Sequence, residues 1–303
     1  MKKRILHIVE WNFWGGVQSS VLSLIREFNE CDNHVFQLYR KKNDITFNFF
    51  KKYGVEINII GEKLKESHIK RVDPDIIVLH SIRDSLILIP EKFFNNYYTI
   101  TIHHYLNHNY LGDLNWFVSK YIYNITQNKP KNYIIQPPPI FIDDFLNIER
   151  PKRKPVVGRI QSTSMLMHGK YPDSFYCLLN KLDSKTFIVG PKDGDAPMVP
   201  GKMPEYLREV DIFVIWGETP ETWSLVASEA NISGIPVVAR RMNDGLTEQL
   251  EKSGGGILVD TEEEFVDTVN VLINNENKRN EIAKKGKYWC LENTSSKLAR
   301  GYL

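Results

Sequence analysis

ETWSLVASEANISGIPVVA, from Glu221 to Ala239, is the stretch of sequence that decides the fold. Its first part is typical of a helix, and Gly234 and Pro236 end that helix before an apolar run. A helix that leads directly into a buried strand is the repeating unit of parallel sheets covered by helices. The segment therefore predicts an α/β protein.

Two carboxylates, Glu221 and Glu229, flank the start of this predicted helix. At a rise of about 1.5 Å per residue they lie roughly 12 Å apart along the helix axis. Between them are the N–H groups of the first turn, which have no partner within the helix and attract anions. A nucleotide sugar fits this arrangement, with sugar hydroxyls at one carboxylate, the diphosphate at the helix end and ribose hydroxyls at the other.

The same residues also have a purely structural interpretation. Thr219, Pro220 and Glu221 form a good helix start, with a cap, a proline in the first turn and an acid that favours the helix dipole. On this interpretation Glu221 is only a helix-end charge and Glu229 is an exposed polar residue. The segment alone leaves both interpretations open.

The composition of the chain excludes several classes of protein. Its 303 residues, 42% hydrophobic and 25% charged, are ordinary for a soluble protein of two domains. A net charge of +2 gives no electrostatic basis for binding nucleic acid. The three cysteines have no metal-ligand spacing and indicate a reducing compartment, and no apolar run reaches the roughly 20 residues that a membrane span needs. We expect a cytoplasmic protein.

Three short basic clusters leave open whether the protein contacts a membrane surface. They comprise residues 2–4, 40–42 and 51–52. Peripheral contact with anionic lipid is one explanation for them, and solvated surfaces are the other.

β-rich runs alternate with amphipathic stretches in both halves of the chain. The predicted strands of the first half are Arg4–Val9, His34–Leu38, Glu56–Ile60, Asp75–Leu79, Tyr98–Ile102 and Tyr133–Ile135. Those of the second half are Pro155–Ile160, Thr186–Gly190, Asp211–Ile215, Pro236–Ala239 and Gly256–Val259. Each set is enough for one doubly wound domain. The proline- and charge-rich stretch 137–155 predicts the boundary between a domain of residues 1–150 and one of residues 151–290.

Residues suited to ligand binding follow the predicted strands, where open parallel sheets bind their ligands. Gly15 and Gly16 follow the first strand and allow a phosphate or sugar to approach backbone amides. His80 and His103 end two other strands, where a histidine can form hydrogen bonds or titrate. These four residues predict one side of a ligand site.

Arg159 and Lys170 follow the first strand of the second half. A departing diphosphate needs positive charge, which arginine supplies as a fork matched to phosphate and lysine as a point charge. Asp193 and Asp195 form a carboxylate pair of the kind that holds a metal, but we interpret them as turn residues. Since the helix end and the two cations supply the charge, we predict no catalytic metal.

The segment from Glu221 resembles the signature of the retaining glycosyltransferases of family 4, in which two glutamates are separated by seven residues. The glycine pair, the two strand-end histidines and Arg159 are similar to motifs of the same family. The resemblance implies the GT-B architecture, which consists of two doubly wound Rossmann-like domains that face each other across a cleft. It also implies that a terminal helix, residues 291–303, returns to the first domain.

The resemblance assigns roles to residues. Glu221 holds the donor sugar together with His103, Glu229 holds the ribose, and the backbone amides of Trp223, Ser224 and Leu225 meet the diphosphate. The remaining donor-binding residues are Gly15, Gly16, His80, Arg159 and Lys170. The chain departs from the family where Ser224 replaces a glycine, and where His104 follows the second histidine in place of an aspartate.

The predicted function is metal-independent, hexosyltransferase-like transfer of a sugar from a nucleotide diphosphate sugar to a hydroxyl, with retention and without a cofactor. A glycan or a lipid-linked saccharide is the expected acceptor. Two alternatives stay open: an epimerase or hydrolase of nucleotide sugars with the same architecture, and a catalytically silent protein that binds sugar nucleotides.

Overall fold

The computed structural model describes residues 2–10, 15–38, 44–61, 63–82, 84–105, 112–127, 129–161, 173–190 and 194–303. The chain divides into two compact units. The first comprises Met1–Phe141 and Ser296–Leu303, and the second comprises Ile142–Ser295. Each unit is built on one parallel sheet connected by helices.

The first unit contains a sheet of seven strands. They are β1 (Arg4–Val9), β2 (Asp32–Gln37), β3 (Ile57–Ile59), β4 (Ile76–His80), β5 (Tyr98–His103), β6 (Leu114–Phe117) and β7 (Tyr133–Ile135). The connecting helices are α1 (Gly16–Glu27), α2 (Asp44–Lys51), α3 (Glu66–Val72), α4 (Glu91–Phe94) and α5 (Lys120–Ile125). The strand order is β3-β2-β1-β4-β5-β6-β7. The order reverses between β1 and β4, which is the position where such sheets bind ligands.

The central strands of this sheet are covered on both faces. Leu6 and Ile8 of β1 pack with Ile77 of β4 in one apolar cluster. Val9 packs with Val21 of α1 in another. A strand that is apolar on both faces is held firmly, so the residues at its carboxyl end are held as well.

The second unit contains a sheet of five strands. They are β8 (Val157–Ile160), β9 (Thr186–Val189), β10 (Ile212–Ile215), β11 (Val237–Arg240) and β12 (Gly256–Val259). Its helices are α6 (Asp173–Leu179), α7 (Met203–Arg208), α8 (Leu225–Ile232), α9 (Gly245–Ser253), α10 (Glu262–Asn274) and α11 (Glu276–Asn293). The strand order is β12-β11-β10-β8-β9, so the reversal lies between β8 and β10.

Close packing holds β8 against its neighbours at this reversal. A Cβ at Gly158 would lie 2.1 Å from Cγ2 of Val210, so only glycine fits there. Phe175, Phe265 and Trp216 pack in the apolar cluster that fills the unit. The residue after Gly158 is Arg159, whose position therefore depends on this contact.

The end of the chain packs on the first unit. A 3-10 helix, Ser296–Gly301, contacts α1. The buried Glu27 accepts hydrogen bonds from Nε of Arg300 at 2.5 Å and from Oγ of Ser296 at 3.1 Å. Lys3 donates to the carbonyl of Leu303 at 2.7 Å. These contacts join the last eight residues to the first unit.

The predicted class of fold is confirmed: two parallel sheets alternate with helices. Each of the eleven predicted strands overlaps an observed one. The sequence did not predict β6, a short strand of four residues that includes the polar Asn115. In the part of the chain that the structure describes, no helix has the length and apolar character to cross a membrane.

Candidate functional site

The helix at the centre of the predicted site begins later than the sequence indicated. Helix α8 starts at Leu225 with Ser224 as its N-cap, and Oγ of Ser224 accepts from the N–H of Ala227 at 3.4 Å. The prediction that the helix starts at Pro220 is therefore wrong. Because Glu221 precedes the helix, the axial spacing of roughly 12 Å between the two carboxylates does not apply either.

The backbone of Glu221 is fixed by the start of α9. Its N–H donates to Oδ2 of Asp244 at 2.7 Å, and its carbonyl accepts from the N–H of Gly245 at 2.7 Å. A Cβ at Gly245 would lie 1.8 Å from the carbonyl oxygen of Thr222, so only glycine allows this approach. The loop before α8 is thus attached to α9, and the side chain of Glu221 is half-buried.

A buried polar network holds the first turn of α8. Gln249, fully buried, donates to the carbonyl of Ser224 at 3.2 Å and to Oγ of Ser228 at 2.9 Å, and it accepts from the N–H of Ser224 at 3.2 Å. The indole of Trp223 donates to Oγ of Ser228 at 3.1 Å and stacks on Trp289, with ring centroids 6.1 Å apart. The helix end is therefore preorganised.

The first N–H groups of α8 are available to an anion. Helix geometry gives these groups no partner within the helix. Among the described residues, the N–H of Ala227 donates to Oγ of Ser224, while the N–H groups of Leu225 and Val226 have no hydrogen-bond partner. Together with the helix dipole, they make this end of α8 suitable for a phosphate.

Glu229 is a buried carboxyl group inside α8. Its residue is only 5% exposed, so the interpretation of Glu229 as an exposed polar residue is wrong. Oε2 has no hydrogen-bond partner among the described residues. Burial, and then the charge of Asp144, raise the pKa of Glu229 to about 8. A pair of hydroxyls that donate to this group would satisfy it and stabilise its ionised form.

Arg159 lies at the same sheet edge as the start of α8. It is the third residue of β8 and is buried. Since β8 pairs with β10, Arg159 and the loop that follows β10 share the carboxyl edge at the reversal of the sheet. Lys170 and Asp193 lie outside the described residues.

One member of the aspartate pair, Asp195, has a structural partner. Asp195 accepts the N–H of Ile188 at 2.7 Å, as a turn residue does. Within the described ranges, no group of three or more His, Cys, Asp or Glu residues is arranged to hold a metal ion.

The glycine pair of the first unit opens α1. Gly15 is the N-cap and Gly16 the first helical residue, and the carbonyl of Gly15 accepts from Ser19 at 3.0 Å. The aromatic residues between β1 and Gly15 lie outside the described residues. The pair therefore forms the start of α1, and its binding role stays a prediction.

His80 ends β4 in a group of histidines. Its Nε2 lies 3.3 Å from Nδ1 of His7, and its Nδ1 lies 3.4 Å from Nε2 of His104. Burial, and then the charges of His7 and His104, lower the pKa of His80 well below its ordinary value. All three rings are therefore at the reversal of the first sheet or beside it.

His103 lies in a different environment. Its ring stacks on Phe117 at 4.3 Å between centroids, and its Nε2 lies 3.0 Å from Oδ1 of Asn115. The structure thus groups His80 with His104 and does not group it with His103. The assignment of His103 to the donor sugar stays a prediction.

Sequence reasoning missed three residues that hold the site. Asp244 had a signal, since aspartate is one of the residue types preferred at the N-cap of a helix. His7 had a weaker signal, a polar residue within an apolar strand. Gln249 had none, because its role depends on contacts with another helix.

Comparison with known proteins gives a family match and many similar structures. Residues 197–289 match the family described as glycosyl transferases group 1. Comparison with curated protein sequences found no match. The match covers α7 to α10 and most of α11, and it includes Glu221 and Glu229.

Three solved structures illustrate the likeness. The glycosyltransferase from Rickettsia africae has a TM-score of 0.75 at 12% identity, covering 99% of this chain and 97% of that chain. Anabaena Alr3699/HepE in complex with UDP and glucose has a TM-score of 0.74 at 12% identity, covering 96% and 95%. WaaG, a glycosyltransferase involved in lipopolysaccharide biosynthesis, has a TM-score of 0.67 at 11% identity, covering 98% of both chains. The chain therefore has the GT-B fold.

Proposed function

We propose that the protein transfers a sugar from a nucleotide diphosphate sugar to a hydroxyl group, with retention at the anomeric carbon. The observation that carries the proposal is the buried carboxyl group of Glu229, whose Oε2 lacks a partner among the described residues. It lies on a helix whose first N–H groups are available to an anion. Adjacent sites for a diol and a diphosphate are what a nucleotide diphosphate requires.

The donor binds through complementary groups in this proposal. The two ribose hydroxyls donate to Glu229, which favours its ionised form. The diphosphate accepts from the backbone of Leu225 and from the N–H groups next to it. Arg159, and Lys170 beyond the described residues, add positive charge that grows in importance as the bond to the phosphate breaks.

The sugar is oriented by Glu221. Its backbone is fixed by Asp244 and Gly245, so its carboxylate is held in one region while its side chain stays half-buried. The acceptor attacks from the face that the diphosphate leaves, and a phosphate oxygen takes the proton of the acceptor hydroxyl.

The similar solved structures suggest which donor and which acceptor to test first. A structure of similar fold contains UDP and glucose, and another belongs to an enzyme of lipopolysaccharide biosynthesis. We therefore propose UDP-glucose as the first donor to test, and a glycan or lipid-linked saccharide as the acceptor. The reaction proceeds without a metal in this proposal, because the helix end and the cations supply the charge.

The test is product analysis with a panel of UDP- and GDP-sugars, with and without saccharide acceptors. We expect a new glycosidic bond with retained anomeric configuration, detected by proton NMR and mass spectrometry. Free sugar in place of a glycoside would indicate a hydrolase, and an altered sugar nucleotide would indicate an epimerase. Binding measured by calorimetry without any turnover would indicate a silent binding protein.

A further inference from the structure

The side-chain amide of Gln249 binds the backbone of Ser224 on both sides of that residue. Its Oε1 accepts from the N–H of Ser224 at 3.2 Å, and its Nε2 donates to the carbonyl of Ser224 at 3.2 Å. Nε2 also donates to Oγ of Ser228 at 2.9 Å. Because Gln249 and Ser228 are fully buried, these bonds lie away from bulk solvent.

The partners of the Gln249 amide leave it only one orientation. A backbone N–H can only donate, and a backbone carbonyl can only accept. If the amide were turned by 180°, its oxygen would face the carbonyl of Ser224 and its NH2 group would face the N–H. Both contacts would then be repulsive in a buried position, where unsatisfied polar groups are costly.

Ser224 lies at the point where the backbone enters α8. Its φ of −96° and ψ of 101° are those of extended chain, so it precedes the helix proper. Its carbonyl accepts the first backbone bond of the helix, from the N–H of Ser228 at 3.1 Å. Gln249 reinforces that carbonyl and also holds the N–H on the other side of Ser224, which the helix itself does not reach.

The direction of the Leu225 N–H follows from these bonds. The peptide between Ser224 and Leu225 is trans, so the carbonyl of Ser224 and the N–H of Leu225 point in opposite directions. Since Gln249 and Ser228 hold the carbonyl, the N–H of Leu225 points away from them. Among the described residues it has no hydrogen-bond partner, and neither does the N–H of Val226.

Helix α9 holds the loop before α8 at two positions. Asp244, the N-cap of α9, accepts from the N–H of Glu221 at 2.7 Å, and Gln249 lies in the second turn of α9 and binds Ser224. Asp244 is itself fixed, because its Oδ1 accepts from the N–H of Thr247 at 2.9 Å. One helix therefore sets the backbone at Glu221 and at the start of α8 together.

We propose that Gln249 is a positioning residue for the diphosphate. It holds the N–H of Leu225 in the direction of the anion, and it occupies the N–H of Ser224. The diphosphate then accepts from Leu225 and Val226, whereas the sequence had placed Ser224 among its donors. The identity of the anion rests on the proposed function, and the partially buried site gains a second indication of a ligand from Oε2 of Glu229, which has no partner among the described residues.

Amide NMR of the unaltered protein, titrated with inorganic pyrophosphate, tests the choice of donors. We expect the amide proton of Leu225 to move downfield, as a new hydrogen bond to an anion causes. The amide of Ser224 should stay protected from hydrogen exchange with or without pyrophosphate, because Gln249 holds it. Rapid exchange of Ser224, or a downfield shift as large as that of Leu225, would overturn the proposal whether or not any variant folds.

Gln249→Met tests the positioning role, because methionine has a similar length and no amide. We expect its affinity for pyrophosphate to fall by about tenfold or more, since the N–H of Leu225 is no longer aimed. Ser253→Ala is the matched control. It removes another buried hydrogen bond of α9, the one that Oγ of Ser253 accepts from the N–H of Gly255 at 3.0 Å, without touching Ser224. Its affinity should be unchanged.

Gln249→Glu tests whether the hydrogen bonds themselves are responsible. A protonated carboxyl group can accept from the N–H of Ser224 and donate to its carbonyl, as the amide does, whereas an ionised one cannot donate. Affinities are compared with that of the unaltered protein at the same pH. Once the carboxyl group is protonated, we expect Gln249→Glu to bind pyrophosphate more tightly than Gln249→Met. Equal affinities of the two variants in acid would contradict the positioning role.

The same titrations separate failure of this inference from failure of the proposed function. If pyrophosphate binds at Leu225 with equal affinity in the unaltered protein and in Gln249→Met, the positioning role is wrong and the diphosphate site stands. If pyrophosphate shifts neither Leu225 nor Val226 in the unaltered protein, this helix end binds no diphosphate. Both the proposed donor site and the role of Gln249 are then wrong.

Discussion

The two units have different kinds of polar side chain at the same topological position, which is the point where the strand order of each sheet reverses. In the first sheet the strand order reverses between β1 and β4, and the polar side chains there include the neutral, buried rings of His7 and His80. In the second sheet it reverses between β8 and β10, and the polar groups are the buried Arg159 and Glu229. A shared fold therefore fixes where a ligand site forms, and the side chains decide what it binds.

The difference has an energetic consequence. Protonation of a buried neutral imidazole lowers the stability of the folded protein, and so does ionisation of a buried carboxyl group. The first unit is therefore sensitive to acid and the second to base. We expect substitution of Glu229 to weaken donor binding and substitution of His7 to slow the chemical step.

The largest effect is expected for Glu221→Ala. If this residue orients the sugar in the transition state, the substitution lowers the transfer rate by about 100-fold or more. Stability should change by less than about 1 kcal/mol, because the side chain is only half-buried. Initial rates and thermal unfolding measure the two effects.

Glu218→Ala is the matched control for that experiment. Glu218 belongs to the same loop and is exposed. Its removal should leave the rate unchanged. Equal rates in Glu221→Ala and the unaltered protein would contradict the assignment of Glu221 to the donor sugar.

The next effect is expected for Glu229→Gln, which keeps the shape of the side chain. Loss of hydrogen bonds to a charged group costs about 1.5–3 kcal/mol, so the donor KM should rise by about 10- to 100-fold. Donor titration by calorimetry measures it. The contrast between the units would break down if His7→Leu weakened donor binding more than Glu229→Gln did.

The dependence of stability on pH sharpens the same contrast. The folded pKa of His7 is lowered from 6.5 to about 4, so the unfolded chain binds more protons in that window and stability rises with pH. The folded pKa of Glu229 is raised from 4.5 to about 8, so the folded chain binds more protons and stability falls as pH rises. Each group contributes at most about 1.4 kcal/mol per pH unit.

Denaturant unfolding at a series of pH values checks these slopes. Glu229→Gln should remove the loss of stability towards pH 8, and His7→Leu should remove the loss towards pH 4. Unchanged slopes in both variants would contradict the assignment of these groups. Hydrogen exchange of the backbone amides in each sheet measures the stability of the first unit separately from that of the second.

A smaller effect is expected for Gly245→Ala. The added Cβ would meet the carbonyl of Thr222, which forces the loop before α8 away from α9 at a cost of about 1–3 kcal/mol. Donor binding should weaken as the loop moves. Gly301→Ala, where nothing lies within 4 Å of an added Cβ, is the control and should behave as the unaltered protein.

The smallest expected effect is that of metal removal. With charge supplied by the helix end and by Arg159, transfer should proceed at the same rate in excess EDTA. The rate is measured before and after added magnesium or manganese. A loss of activity that divalent cations restore would show that a metal supplies the charge.

Much of the fold was predictable because strand formation depends on local patterns. The apolar run of β1, RILHIV, is visible without any knowledge of its neighbours. The strand β6 was not, since Asn115 is buried only because it bonds to His103 and to the carbonyl of Gly112. Burial of a polar residue depends on partners that a local pattern does not contain.

The candidate site was predictable in composition and less so in geometry. The residue types at the carboxyl ends of the strands indicated Arg159, Glu221 and Glu229. The start of α8 was misplaced because two capping residues compete for it. Gln249 and Asp244, more than twenty residues further along the chain, decide the competition in favour of Ser224.

The sequence by itself determined that the chain forms two parallel sheets, and which side chains stand at their ligand-binding edges. Those properties depend on the order and spacing of residues along the chain. Only the tertiary structure decided that Oε2 of Glu229 is buried without a partner among the described residues, and that His7, His80 and His104 form one chain. Burial and proton position depend on groups brought together by folding, because solvation and hydrogen bonding act through space.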